Sequence, residues 1–180
     1  MTTLTMVAFA ANSLLNRAAL LDGETGPAAF AAIRLVSGAL FLALLVSVRH
    51  GFPKLAAPGR LVGVGALTVY ILGFSFAYVA LDAGVGALLL FGMVQVTMFA
   101  SAVLSGDRPA TVRWLGSALA LAGLAWMVWP AGTVLLPMGA ALLMGAAGIG
   151  WGVYSIVGRG AQNPLGETTA NFILAAPIAA

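Results

Sequence analysis

The sequence predicts an all-α fold, a polytopic membrane helix bundle, and three observations carry that prediction. Composition is the first. Of the 180 residues 62% are hydrophobic and 7% charged, and a mean hydropathy of +1.07 leaves too little polar surface to coat a globule in water. The second is the stretch from Gly84 to Trp129. GVGALLLFGMVQVTMFASAVL carries no charge over a length that crosses a ~30 Å hydrocarbon core as a helix; SGDRPATVR interrupts it, and WLGSALALAGLAWMVW returns to apolar sequence. Two spans joined this way satisfy their backbone groups internally and hold Asp107, Arg108 and Arg113 at one membrane face. The third observation is where the cations fall.

Taken in order, a first apolar segment runs from Leu4 to Leu21, interrupted by Asn12, Ser13, Asn16 and Arg17. No Lys or Arg precedes it and its centre is not cleanly apolar, so it reads as an uncleaved helix and not as a secretory signal. DGETG, residues 22–26, is a turn, and Pro27 suits the first position of a second helix reaching about Val48 with Arg34 inside it. RHGFPKLAAPGR, residues 49–60, is the most basic break. A third helix is expected from Leu61 to about Leu81, with Asp82 and Gly84 marking the turn into the hairpin that forms helices four and five. PAGTVLLP is a neutral turn, a sixth helix runs from Met138 to about Val157, and GRGAQNP closes it. A seventh begins near Thr168. Its thirteen residues to Ala180 cover about 20 Å at 1.5 Å each, short of a bilayer. Six complete spans and a truncated seventh are therefore expected, in a fragment of a longer protein.

Alternating the loops from the N-terminus puts Arg49, Lys54, Arg60, Arg108, Arg113 and Arg159 on one side and Asp22, Glu24 and Asp82 on the other, with no Lys or Arg there. The positive-inside rule then sets the N-terminus in the cytoplasm and the chain as a multi-pass protein of the plasma or inner membrane. The net charge of +3 comes from eight scattered Lys and Arg; with no basic run they make no phosphate-tracking surface, so nucleic acid is excluded as a partner. No cysteine is present, which excludes disulfides, thiolate metal sites and cysteine nucleophiles. Enzymes of the membrane interior need paired carboxylates, a serine near a base, or clustered histidines. The single histidine, His50, is in a loop, and Ser75 reads as bonded back to its own helix. No catalytic residue, metal site or cofactor is expected.

After residue 130 the sequence begins again. NSLLNRAALLDGET around Ser13 matches YSIVGRGAQNPLGET around Ser155: Ser13 and Arg17 align with Ser155 and Arg159, and Gly23-Glu24-Thr25 with Gly166-Glu167-Thr168. Residues 1–130 are read as a first five-helix repeat and 131–180 as the start of a second. An odd number of helices inverts the second copy, the arrangement that places a substrate path between halves of many secondary transporters.

FAANSLLNRAAL, PAAFAAIRLVSGALFLALL, the block YVALDAGVGALLLFGMVQVTMFASAVLSGDRPATVRWLGSALALAGLAWMV and the restart MGAALLMGAAGIGWGVYSIVGRG together resemble the EamA branch of the drug/metabolite transporter superfamily over nearly the whole chain. Where that family usually has a Glu this chain has Asp107, and where it often has Trp-Gly in the first helix this chain has Ala10 and Ala11. The resemblance implies a ten-helix exporter of small metabolites such as amino acids. It also implies two inverted five-helix repeats with both termini cytoplasmic, and about a hundred further residues.

A site for alternating access belongs near the midplane. Counting to the middle of each helix brings Asn12, Ser13, Arg34, Tyr70, Gln95 and Trp151 to similar depth, as candidates for a substrate bowl. Arg34 within a span must face protein or water; it is also readable as a clamp on a neighbouring helix or on Asp22 or Glu24. Tyr70, Phe74 and Tyr78 share a face, which suits packing as well as an aromatic wall. Gly145, Gly148 and Gly152 suit close helix approach. Asp107 and Arg108 are candidates for a gate, or for a fixed turn. The bowl predicts that Gln95→Ala and Arg34→Ala each reduce transport. The function expected is secondary transport, with export favoured; a noncatalytic helical subunit or assembly protein is the alternative. The expected partners are a small-molecule substrate and the lipid bilayer, with a coupling ion and a homodimer left open.

Overall fold

The computed structural model describes residues 2–21, 23, 25–49, 54–106, 109–128 and 137–179. Among them are seven helices and no strand: α1 (Thr2–Leu21), α2 (Pro27–Arg49), α3 (Arg60–Ala77), α4 (Ala83–Leu104), α5 (Thr111–Val128), α6 (Met138–Gly158) and α7 (Pro164–Ala179). Five of these, α1, α2, α3, α4 and α6, are long and apolar enough to cross a membrane. The outer surface agrees with that reading. Leu40, Phe41, Leu44 and Val48 on α2 and Leu115, Leu119 and Trp126 on α5 stand 65–85% exposed, a surface suited to hydrocarbon and costly in water.

Helix α3 is the axis. Two thirds of its span, 67%, is buried, against 11–33% for the other four. Its Leu67, Ile71, Phe74 and Ala77 form the core with Leu35 of α2, Met144 and Ala147 of α6, and Ala175 of α7. Helix α6 lies along α3 and α4, α7 along α2 and α3, and α5 rests on α4. Close approach at α6 is made by missing side chains. A Cβ on Gly150 would sit 2.7 Å from the Ala66 carbonyl oxygen and 2.9 Å from the Tyr70 nitrogen; one on Gly148 would meet the Leu90 carbonyl at 2.7 Å, and one on Gly152 the Thr97 Cβ at 2.7 Å. From the other side Gly73 of α3 takes in the Leu143 carbonyl, 2.8 Å from its would-be Cβ. Small residues that let backbones meet are the main source of helix association where lipid is as apolar as leucine. Gly145 takes no such part, with only Met93 Cγ at 3.9 Å.

Two helix bounds differ from expectation. α3 stops at Ala77 and not near Leu81, because Tyr78 to Leu81 form a tight turn in which the Ala80 and Leu81 N–H groups both donate to the Ala77 carbonyl. α7 starts at Pro164 and not near Thr168. Asn163 caps it, its Oδ1 accepting the Gly166 N–H at 3.1 Å, and Pro164 occupies the first position, where no N–H is needed.

Candidate functional site

The face of α1 that interrupts its apolar run carries Asn12, Ser13, Asn16 and Arg17. Asn12 and Asn16, and Ser13 and Arg17, are each four residues apart, which places them on one side of a helix, and that side meets α2 and α3. Asn16 Nδ2 donates to the Asn12 carbonyl (2.7 Å) and to Asn12 Oδ1 (3.2 Å), so the two amides present their oxygens together. Arg34 of α2 takes both: Nη1 donates to Asn16 Oδ1 at 3.0 Å and Nη2 to Asn12 Oδ1 at 3.3 Å. Its guanidinium carbon lies 5.3 Å from the centre of the Phe74 ring and 6.0 Å from that of Phe30, within the range where a ring face attracts a cation. A charge between apolar helices is thus held by two amide dipoles and two aromatic faces. The alternative partners Asp22 and Glu24 lie outside the described residues.

Aromatic rings continue from there. Tyr78 meets Phe74 edge-on at 4.7 Å, Phe74 meets Tyr70 at 5.4 Å, Tyr70 meets Trp151 of α6 at 4.8 Å, and Trp151 stacks on Tyr154 at 5.6 Å. Phe9 of α1 closes the side, 6.2 Å from Trp151 and 5.7 Å from Phe91 of α4. The stripe on α3 therefore both packs and forms a wall. Tyr154 opens into a cavity of about 750 Å³ between the start of α3 and the ends of α6 and α7, lined also by Lys54, Arg60, Gln162, Glu167 and Asn171. One helical turn separates Tyr154 from Trp151, so this vestibule stands at one end of the aromatic row.

Four of the six bowl residues are linked in this way. Asn12 binds Arg34, Arg34 faces Phe74, which touches Tyr70, and Tyr70 touches Trp151; Ser13, 2% exposed, is buried next to Asn12 on α1. Gln95 is not among them. It is exposed and lines a separate apolar groove between α4 and α5, with Phe99, Val103, Trp114 and Leu121. The reason is rotational: α4 turns Leu90, Met93, Val94 and Thr97 toward α6, and at 100° per residue Gln95 falls on another face at the same depth. Asp107 and Arg108, the expected gate, lie outside the described residues.

Two features escaped the sequence reading. Asn16, 3% exposed, is as much a part of the arginine seat as Asn12; its i, i+4 spacing from Asn12 was the available signal. The other is Arg60. Its Nε donates to the Leu55 carbonyl (3.1 Å) and Nη2 to that of Lys54 (3.0 Å), while Nη1 faces the Glu167 carbonyl (3.1 Å), Asn171 Oδ1 (3.0 Å) and Glu167 Oε2 (2.7 Å). No local spacing signals a bond across more than a hundred residues.

Ser75 departs from its expected bond to the helix. It is fully buried and its hydroxyl has no partner among the described residues. An unpaired buried hydroxyl costs about 1–3 kcal/mol. Ser75→Ala is accordingly expected to hold or raise the midpoint of thermal unfolding in detergent; a fall of several degrees would mean the hydroxyl is bonded.

No family model matches the chain, and no solved structure matches it. An uncharacterized protein of Pseudomonas aeruginosa is similar: 48% identical over 180 residues, which take in all of this chain. The chain spans 62% of that relative's length.

Proposed function

We propose that the chain is part of a secondary transporter of the membrane, of the EamA drug/metabolite type, which moves a small metabolite by alternating access. One observation carries this reading: a cation seated on amides and aromatic rings between apolar helices, in a bundle with a polar vestibule at one end. Polar groups in a membrane interior are expensive and concentrate along substrate paths. Support for two inverted repeats is the recurrence of Ser13 and Arg17 as Ser155 and Arg159. On the charge rule the vestibule faces the cytoplasm, because Lys54, Arg60 and Arg159 lie toward that end. A cytoplasmic entrance suits export, with amino acids or related compounds as cargo, from the plasma or inner membrane.

Mass-spectrometric profiling of spent medium tests the proposal, comparing cells that express the full-length protein with cells carrying empty vector. A small metabolite enriched outside only with the protein is expected. Gln95→Ala is expected to retain that enrichment, since Gln95 lies on another face of α4. No difference across amino acids, nucleobases, sugars and organic cations, with the protein confirmed in the membrane, would favour a noncatalytic helical subunit.

A further inference from the structure

Two arginines tie α3 to its neighbours, one at each end, and they are held in contrasting ways. At the vestibule end Arg60 is 6% exposed and bonded to the chain before α3 and to two residues of α7. Releasing it would strand a buried charge. At the opposite end Arg17 reaches from α1 to the turn after α3, where Nη1 donates to the carbonyls of Tyr78 (2.8 Å) and Val79 (2.9 Å). Its carboxylate neighbour Asp82 is 3.9 Å away with a side chain 83% exposed, a pair of the surface kind that contributes little. Among the described residues Arg17, its side chain 21% exposed, is held by two backbone carbonyls and an exposed carboxylate, fewer and less buried partners than those of Arg60.

Behind Arg17 sits a plug. Tyr78 is fully buried, its hydroxyl donates to the Ala83 carbonyl at 3.1 Å, and Arg17 of α1 holds its backbone carbonyl. Gly86 of α4 makes the room: a Cβ there would run into the Tyr78 ring. Three helices, α1, α3 and α4, thus converge on one residue, and the early end of α3 puts Tyr78 in a turn that can swing without unwinding a helix. We infer that Arg17 and Tyr78 form the releasable closure of this end, and that the Arg60–Glu167–Asn171 network is the fixed joint about which it opens. The inference rests on the transport reading, in which the end opposite an open vestibule must seal and release.

No cysteine lies in these 180 residues, so on a full-length background cleared of any other cysteine the closure is directly measurable. Ala77→Cys sets one thiol at a fully buried position beside the plug, and its labelling by a membrane-impermeant maleimide is followed on full-length protein in lipid nanodiscs, where both faces are accessible. Arg17→Gln is expected to raise the labelling rate about tenfold or more, the effect of losing charge-assisted bonds on an opening equilibrium, with little change in melting temperature. Glu167→Gln is expected to do the reverse: a lower melting temperature and an unchanged rate. An unchanged rate with Arg17→Gln, an equal rise with Glu167→Gln, or an equal loss of melting temperature in both overturns the assignment. Labelling needs no substrate. A protein that responds as expected yet moves no metabolite would therefore overturn the transport reading and leave the closure standing.

Discussion

Gly150→Ala is expected to destabilise the bundle by about 1–3 kcal/mol or more, the cost of forcing extra volume into a packed interface. The new Cβ would stand 2.7 Å from the Ala66 carbonyl oxygen and 2.9 Å from the Tyr70 nitrogen. Both are backbone atoms of α3, so relief requires the two helices to move apart, and with them the contacts of Tyr70 and Trp151 at 4.8 Å. Gly145→Ala supplies the contrast on the same helix. Its Cβ would meet only Met93 Cγ at 3.9 Å, and alanine is the better helix former by up to about 1 kcal/mol. Thermal unfolding in a mild detergent should therefore show Gly150→Ala well below the parent and Gly145→Ala level with it or above. Equal midpoints for the two variants would mean that α6 does not approach α3 as closely as the backbone shows.

That contrast marks where sequence reasoning reaches its limit. Uninterrupted apolar runs located the helices, and the count along each run placed Asn12, Arg34, Tyr70 and Trp151 at a common depth. Depth depends only on rise per residue. Which face turns inward depends on a partner, and a span that is apolar all round carries no stripe to announce it. Gln95 illustrates this: chosen for its depth, it stands on the α5 side of α4. Sequence spacing grouped Gly145 with Gly148 and Gly152 and passed over Gly150, and the fold reverses the two, because only the neighbouring backbone distinguishes them. Arg60 is the remaining kind of case. Read as a topology signal at a loop, it is also the buried joint between α3 and α7, a role set by where α7 packs more than a hundred residues away.

Arg34→Ala is the change expected to cost most in function. It removes the charge shared by Asn12, Asn16 and Phe74 and leaves two amide oxygens facing each other between apolar helices. Export of the enriched metabolite should fall by about tenfold or more, the effect of losing charged hydrogen bonds of about 1.5–3 kcal/mol. A clamp and a substrate contact predict different things for Arg34→Lys. An ammonium keeps the charge but has no planar fork, so it cannot hold the Asn12 and Asn16 oxygens on two nitrogens at once. If Arg34 only ties α1 to α2, the lysine variant should lose melting temperature nearly as far as alanine does, and whatever transport survives should keep its apparent substrate affinity. If Arg34 faces cargo, the lysine variant should fold and insert normally while its apparent affinity weakens. Concentration dependence of export in the two variants, read beside their unfolding midpoints, separates these outcomes. Normal export by Arg34→Ala would show that the arginine seat lies off the substrate path.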